Sequence, residues 1–154
     1  MSNMNPFELK RVDTAEDCKV FLLGVLTTKG FLGNALDLID PKGGFFCDAM
    51  TEKNLDEFVR VQQGPIIDMV PDFTIMNWRY GLNCGDTKVV KFQATASHNG
   101  KRCTWTCVWI FTVKDGKVVQ LEKSFDRASW HTALGLNAWT EMPVQPTFSS
   151  ACNR

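Results

Sequence analysis

The chain has 154 residues, 44% of them hydrophobic, and it carries 17 basic and 17 acidic residues. This length fits one domain with a single buried core. The composition is that of a globular protein rather than a disordered chain. The balanced charge argues against a nucleic-acid partner, because such binding needs clustered basic residues to neutralise phosphates.

The sequence also bears on where the protein works. Residues 1–11 are polar and lack the apolar segment of a signal peptide. The most apolar stretch, residues 20–26, is shorter than the roughly 20 residues that cross a bilayer. The six cysteines form no C-x-x-C pair, so we interpret them as reduced thiols. We therefore expect a soluble, cytoplasmic protein with no membrane partner.

The first half of the chain carries apolar residues at helical spacing. A capping box at Asp13–Glu16 marks the start of the first helix, and Thr51 can cap the third. The pair Gly64-Pro65 is expected to break the third helix. The predicted elements of this half are helices at 13–30, 31–39 and 51–71, with a brief strand at 45–49.

From Asp72 onward the period changes from about 3.6 to 2, which indicates strands. Asn99-Gly100 and Asp115-Gly116 are typical of tight hairpin turns. Helices followed by antiparallel strands predict an α+β domain over residues 1–135, with a C-terminal tail over 136–154. The predicted strands are 73–80, 88–97, 102–113 and 118–125, followed by a short helix at 126–134.

Strand alternation assigns the side chains to two faces of the sheet, and we expect the aromatic face to be concave and to lie beneath the helices. Large indoles alternate there with small Ala94, Ala96, Cys103 and Cys107, which favours a cavity. A solid core remains the alternative. The predicted substrate-binding residues are Trp78, Phe92, Trp105, Trp109, Leu121 and Phe125, with His98 at the mouth.

Lys123 interrupts the apolar face of the last predicted strand. A buried ammonium is costly unless it is paired, so this lysine predicts a partner carboxylate or a ligand. A desolvated lysine can act as a base or as an amine that captures a carbonyl. The alternatives are an ion pair with an acid of the helical layer, such as Asp48 or Asp68, or a side chain that extends to the rim.

Two further residues join Lys123 as catalytic candidates. Tyr80 is expected to share a strand face with Trp78, where its hydroxyl could donate a hydrogen bond to a carbonyl oxygen. Asp48 is one of the acids expected near the pocket entrance. No residue is predicted to bind a metal.

The span from Thr51 to Gly135 resembles the SnoaL-like polyketide cyclases of the nuclear transport factor 2-like superfamily. The resemblance implies a cone-shaped α+β barrel, a curved antiparallel sheet wrapped around the N-terminal helices, and a deep hydrophobic pocket. It also implies no metal or organic cofactor and a homodimer formed by the outer sheet faces. The segments that carry it are Val70–Phe73, Lys91–Gly100 (KFQATASHNG), Trp109–Val113, Asp115–Val119, Phe125–Arg127 and Leu134-Gly135.

The chain departs from these relatives at two positions. Many of them carry an acid–base aspartate on the last strand and a second acid on the long strand, and these positions hold Lys123 and Trp109 here. We therefore predict a cofactor-independent isomerase, cyclase or hydratase that acts on a small polyketide-, terpenoid- or steroid-like molecule without the usual aspartates. The alternatives are a non-catalytic small-molecule binding protein, or a dimeric protein-interaction module that uses the outer face. That face carries Thr104, Thr106, Val108 and Ile110.

Overall fold

The computed structural model of the protein describes residues 5–47, 50–98 and 100–125; at residues 47, 50–53, 80, 98 and 125 it describes the backbone alone. The helices are a 3₁₀ turn (Pro6–Glu8), α1 (Ala15–Thr27), α2 (Leu32–Asp37), α3 (Leu55–Val61) and α4 (Ile67–Met69), with a π-helical turn (Gln62–Ile66) between the last two. The strands are β1 (Ile39–Cys47), β2 (Met50–Asn54), β3 (Thr74–Cys84), β4 (Thr87–His98), β5 (Lys101–Lys114) and β6 (Lys117–Phe125). No helix in these ranges is long and apolar enough to cross a membrane.

The six strands form one curved, unclosed sheet in the order β2-β1-β6-β5-β4-β3. Neighbouring strands are antiparallel except β1 and β6, which are parallel. Helix α1 packs on the concave face, where the rings of Phe21 and Phe111 meet edge to face with centroids 6.2 Å apart. The predicted α+β class and the curved sheet around N-terminal helices are confirmed.

The face assignment for the long strand β5 is also confirmed. From Cys103 to Val113 every second residue is buried, and the residues between them are half-buried or exposed. Such alternation places every second side chain on the helix-covered face. The buried row consists of Cys103, Trp105, Cys107, Trp109, Phe111 and Val113.

Two helix starts differ from the prediction. The capping box of α1 is formed by Thr14 and Asp17, one residue later than expected. The cap of α3 is Asn54, whose side chain accepts a hydrogen bond of 2.9 Å from the backbone N–H of Glu57. Thr51 instead lies in β2, where it pairs with Phe46 of β1. At α3 the pairing of Thr51 with β1 takes this residue out of the helix start, and Asn54 caps the helix instead.

Gly64-Pro65 does not break the third helical segment. The chain continues through Pro65 in the π-helical turn and enters α4 directly. In a π turn the backbone hydrogen bonds join residues five apart instead of four. This shift accommodates a proline, which has no N–H to donate. The helical segment ends at Met69, before Pro71, as predicted.

Gln63 in this π turn ties α1 to the neighbouring helices. Its amide nitrogen donates to the backbone oxygens of Gly24, Val25 and Thr28, at 2.8–3.1 Å. Its amide oxygen accepts from the N–H of Phe31 at 3.0 Å. The carbonyls at a helix C-terminus have no partner within the helix. One side chain therefore satisfies the end of α1 and fixes its position over the sheet.

Candidate functional site

An aromatic cluster lies between α3 and the centre of the concave face. Phe58 of α3 stacks on Phe45 of β1, with ring centroids 4.1 Å apart and an interplanar angle of 12°. The same phenylalanine packs against Trp109 of β5 at 6.0 Å. All three side chains are buried. Helix α3 thus covers the part of the sheet where β1, β6 and β5 lie side by side.

Lys123 lies in this cluster. Its backbone pairs with Trp109 of β5 on one side and with Cys47 of β1 on the other. Its Nζ atom is 5.6 Å from the ring centroids of both Phe45 and Trp109, which is within the range of a cation–π contact. The side chain is half-buried. The structure therefore holds a cation against two aromatic rings on the concave face.

The indole N–H of Trp109 is a buried donor in the same place. Trp109 is 3% exposed, and no hydrogen-bond acceptor reaches its Nε1 among the described residues. Native proteins pair most buried polar groups, so an unpaired one needs an explanation. The sequence places Trp109 on the wall of the predicted pocket with an indole N–H that needs a partner, and the structure buries that N–H.

Cys107 lies between Trp105 and Trp109 on the buried row of β5. Burial raises the pKa of its thiol to about 12, while the positive charge of Lys123 and the two indole N–H groups act in the opposite direction. A thiol with so high a pKa stays protonated at neutral pH, and this disfavours a nucleophilic role. Cys107 is therefore a buried core residue.

The remaining predicted wall residues lie along the same face. Trp78 packs against Phe92 with centroids 4.8 Å apart, and Trp105 packs edge to face on Phe73 at 5.8 Å. Phe92, Trp105 and Leu121 are buried. Their contacts are those of a packed face, and their role in ligand binding stays a prediction.

A cleft of about 350 Å³ opens between the first turns of α1 and the edge strand β3. The Nζ atom of Lys19 lies 5.0 Å from the centroid of the Trp78 ring there. Trp78 therefore separates this cleft from the buried face. The cleft is lined by Ala15, Glu16, Lys19, Trp78, Arg79, Gly81 and Asn83.

The backbone at position 80 does not continue the strand alternation that predicted a shared face for Tyr80 and Trp78. Strand β3 has a bulge between Met76 and Tyr80, and Asn77 within it has a positive φ of 52°. Beyond the bulge, position 80 pairs with Lys91, in the outer row of β4, whereas the Trp78 ring packs against inward-facing Phe92. A bulge inserts residues that have no partner on the neighbouring strand, so side chains on its two sides no longer alternate between the faces in a simple two-residue period.

Of three other predicted site residues, one is not described and two are described by their backbone alone. Asp48 lies outside the described residues, directly after Cys47 in the sequence. The backbone of His98 pairs with Lys101 at the end of the β4–β5 hairpin. The backbone of Phe125 pairs with Cys107 of the buried row.

Phe45 and Phe58 are site residues that sequence reasoning did not include. Phe58 had a signal, because it lies at helical spacing from Leu55 and Val59. Phe45 was predicted to be in a strand, but its position next to β6 follows from a parallel pairing that no local pattern indicates. The contact of Lys123 with the ring of Phe45 therefore depends on tertiary strand pairing, which the local sequence pattern does not indicate.

No family profile and no curated protein matches the sequence. Solved structures do match it. A proposed SnoaL-like polyketide cyclase from Jannaschia sp. CCS1 aligns with a TM-score of 0.68 and 17% identity over 87% of this chain and 97% of that one. IdmH, a proposed polyketide cyclase from Streptomyces antibioticus, aligns with a TM-score of 0.64 and 17% identity over 76% and 95%. TerC, crystallised with polyporic acid, aligns with a TM-score of 0.56 and 18% identity over 66% and 84%.

These similarities define the fold. The chain has the nuclear transport factor 2-like fold, in the form seen in SnoaL-like polyketide cyclases. The fold that the sequence resemblance implied is confirmed. At such identities the fold does not specify a reaction.

Proposed function

We propose that this protein is a cofactor-independent enzyme that isomerises or cyclises a small hydrophobic carbonyl compound on its concave face. The compound belongs to the polyketide-, terpenoid- or steroid-like molecules. The observation that carries this proposal is Lys123, a cation 5.6 Å from the centroids of two aromatic rings on the concave face. Aromatic rings orient a flat apolar substrate, and the cation provides the polar group that such a site needs.

The proposed chemistry is proton transfer next to a carbonyl group. The Lys123 ammonium receives the carbonyl oxygen and stabilises the negative charge that develops there when a base removes the α-proton. The resulting enolate is reprotonated at another carbon in an isomerisation, or its carbon attacks a second carbonyl in a cyclisation. Neither route changes the oxidation state of the substrate.

Asp48 is the proposed base. It follows Cys47, and the backbone of Cys47 pairs with Lys123. A carboxylate beside a substrate can accept the α-proton and return it, which is general acid–base catalysis. Tyr80 is not included in this mechanism, because its strand position lies in the outer row.

The comparisons support a small organic ligand. TerC was crystallised with polyporic acid, and IdmH is a proposed polyketide cyclase. Both share the fold of this chain. Transfer of that ligand class to this protein is part of the proposal.

The proposal is tested by following α-proton exchange. A panel of aromatic, terpenoid and steroid ketones is incubated with the protein in D₂O, and loss of the α-proton signal is measured by NMR. The expected result is faster exchange for at least one ketone class with the wild-type protein, reduced at least tenfold by Lys123→Met and by Asp48→Asn. Lys114→Met, which removes a charge from an exposed site at the end of β5, is the matched control and should exchange like wild type. Ketone binding without any exchange above the protein-free rate would favour the non-catalytic binding protein instead.

A further inference from the structure

We infer that Trp109 and Lys123 together bind an anionic oxygen carried by a flat ring system. The preferred ligands would then be the carboxylates, phenolates or enolates of aromatic or polyketide-like rings. This inference rests on the proposed function, because it names the chemistry of the molecule that the same concave face would take.

The first observation is the indole N–H of Trp109. It is buried and has no acceptor among the residues that the structure describes. An indole can only donate a hydrogen bond. A buried donor that lacks an acceptor is the complement of a ligand oxygen.

The thiol of Cys107 does not fill this role. The indole N–H groups of Trp105 and Trp109 oppose the rise in the Cys107 pKa, so the thiol is close enough to feel them. Its sulfur is a weak acceptor, and no hydrogen bond of acceptable geometry joins it to Trp109 Nε1. An oxygen, and above all a charged oxygen, would be a stronger acceptor for the same N–H.

The second observation is the charge around this donor. The Nζ atom of Lys123 lies 5.6 Å from the centre of the Trp109 ring. In the described part of β4, β5 and β6, the charged side chains of the inward rows are Lys88, Lys101 and Lys123, and these rows carry no carboxylate. The lysines of these three strands favour an anionic group on the ligand.

The third observation is the flatness of the surroundings. The rings of Phe45 and Phe58 are stacked within 12° of parallel, and both lie next to the Lys123–Trp109 pair. Planar ring systems stack on such surfaces, with ring centroids about 4.5–7 Å apart. Because Lys123 is half-buried and Trp109 is 3% exposed, a ligand meets the lysine first and has to move side chains to reach the indole.

The test uses two fluorescent probes with the same ring skeleton. One is 8-anilinonaphthalene-1-sulfonate, which carries an anionic group, and the other is N-phenyl-1-naphthylamine, which does not. Each is titrated into wild type, Trp109→Phe, Lys123→Met and the exposed-lysine control Lys114→Met. Thermal melting of each variant is recorded, and the assigned indole N–H resonances of the unmodified protein are followed by ¹H–¹⁵N NMR.

The expected result is that wild type binds the anionic probe at least tenfold more tightly than the neutral one. Trp109→Phe and Lys123→Met should each weaken anionic-probe binding about tenfold and change neutral-probe binding less than twofold. Lys114→Met should change neither affinity. The Trp109 N–H resonance should shift with the anionic probe only, which tests the inference even if Trp109→Phe fails to fold.

Two results would contradict the inference, and they differ in what else they affect. Equal affinity for the two probes, with no shift of the Trp109 resonance, would overturn the anion site and leave the apolar site of the proposed function standing. Binding of neither probe would overturn both.

Discussion

Lys123 and Trp109 are direct cross-strand partners in β6 and β5, and the amine of the lysine lies 5.6 Å from the centre of the indole ring. Residues directly opposite each other in an antiparallel pair have their side chains on the same face. The pair therefore places an amine and a buried hydrogen-bond donor side by side on the concave face.

The first prediction concerns the role of Lys123 in folding. Lys123→Met keeps most of the side-chain length and removes the charge. We expect the melting temperature to change by only a few degrees, because cation–π contacts contribute about 0.5–2 kcal/mol and methionine keeps the apolar packing. Differential scanning calorimetry measures this change. A loss of more than about 4 kcal/mol, the size expected for breaking a buried ion pair, would show instead that Lys123 is chiefly structural.

The second prediction compares two helical glycines. A Cβ atom on Gly24 in α1 would lie 2.5 Å from the buried ring of Phe31, whereas a Cβ on Gly33 in α2 would meet nothing within 4 Å. Gly24→Ala should therefore lower the free energy of unfolding by about 1–3 kcal/mol. Gly33→Ala should raise it by about 0.5–1 kcal/mol, because alanine favours a helix. Urea denaturation of both variants tests the pair, and equal effects would contradict the packing of α1 on Phe31.

The third prediction concerns acid stability. The pKa of Asp72 is held below its ordinary value by hydrogen bonds from the hydroxyl and the backbone N–H of Ser97, and further by the charge of Arg102. A carboxyl whose folded pKa lies below the unfolded value of about 3.9 stabilises the fold above that value. The stabilisation is lost as the pH falls through the folded pKa.

Asp72→Asn should therefore be less stable than wild type at pH 7, and the difference should shrink below about pH 4. Ser97→Ala should behave similarly, because the Ser97 hydroxyl is the largest cause of the shift. Urea midpoints between pH 7 and pH 2.5 provide the measurement. A stability difference that stays constant over this range would show that the Asp72 carboxylate does not contribute through its ionisation.

The strands β3 to β6 and the burial of the β5 row could be predicted from the sequence, because alternation is a local signal. The bulge at Asn77 could not, since it depends on where β4 offers partners. The same holds for Phe45, which joins the site only through the parallel pairing of β1 with β6. The cap of α3 is Asn54 and not the predicted Thr51, because Thr51 lies in β2 and pairs with Phe46 of β1.

The fourth prediction concerns assembly. We expect a homodimer through the outer sheet face, where Val108 and Ile110 are half-buried in the single chain. Ile110→Glu should convert the dimer to a monomer, because it places a charge in an apolar contact. Thr87→Glu, at an exposed position of β4, is the control. Sedimentation at micromolar concentration that gives only the 17.4 kDa monomer for wild type would contradict the dimer.

The most direct measurement of the central claim is a crystal structure of the protein with 8-anilinonaphthalene-1-sulfonate. We predict that the ring system lies against Phe45 and Trp109 on the concave face. A sulfonate oxygen should be about 2.7–3.2 Å from both Lys123 Nζ and Trp109 Nε1. A probe bound instead in the cleft between α1 and β3, beside Lys19 and Trp78, would contradict the assignment of the ligand site to the concave face.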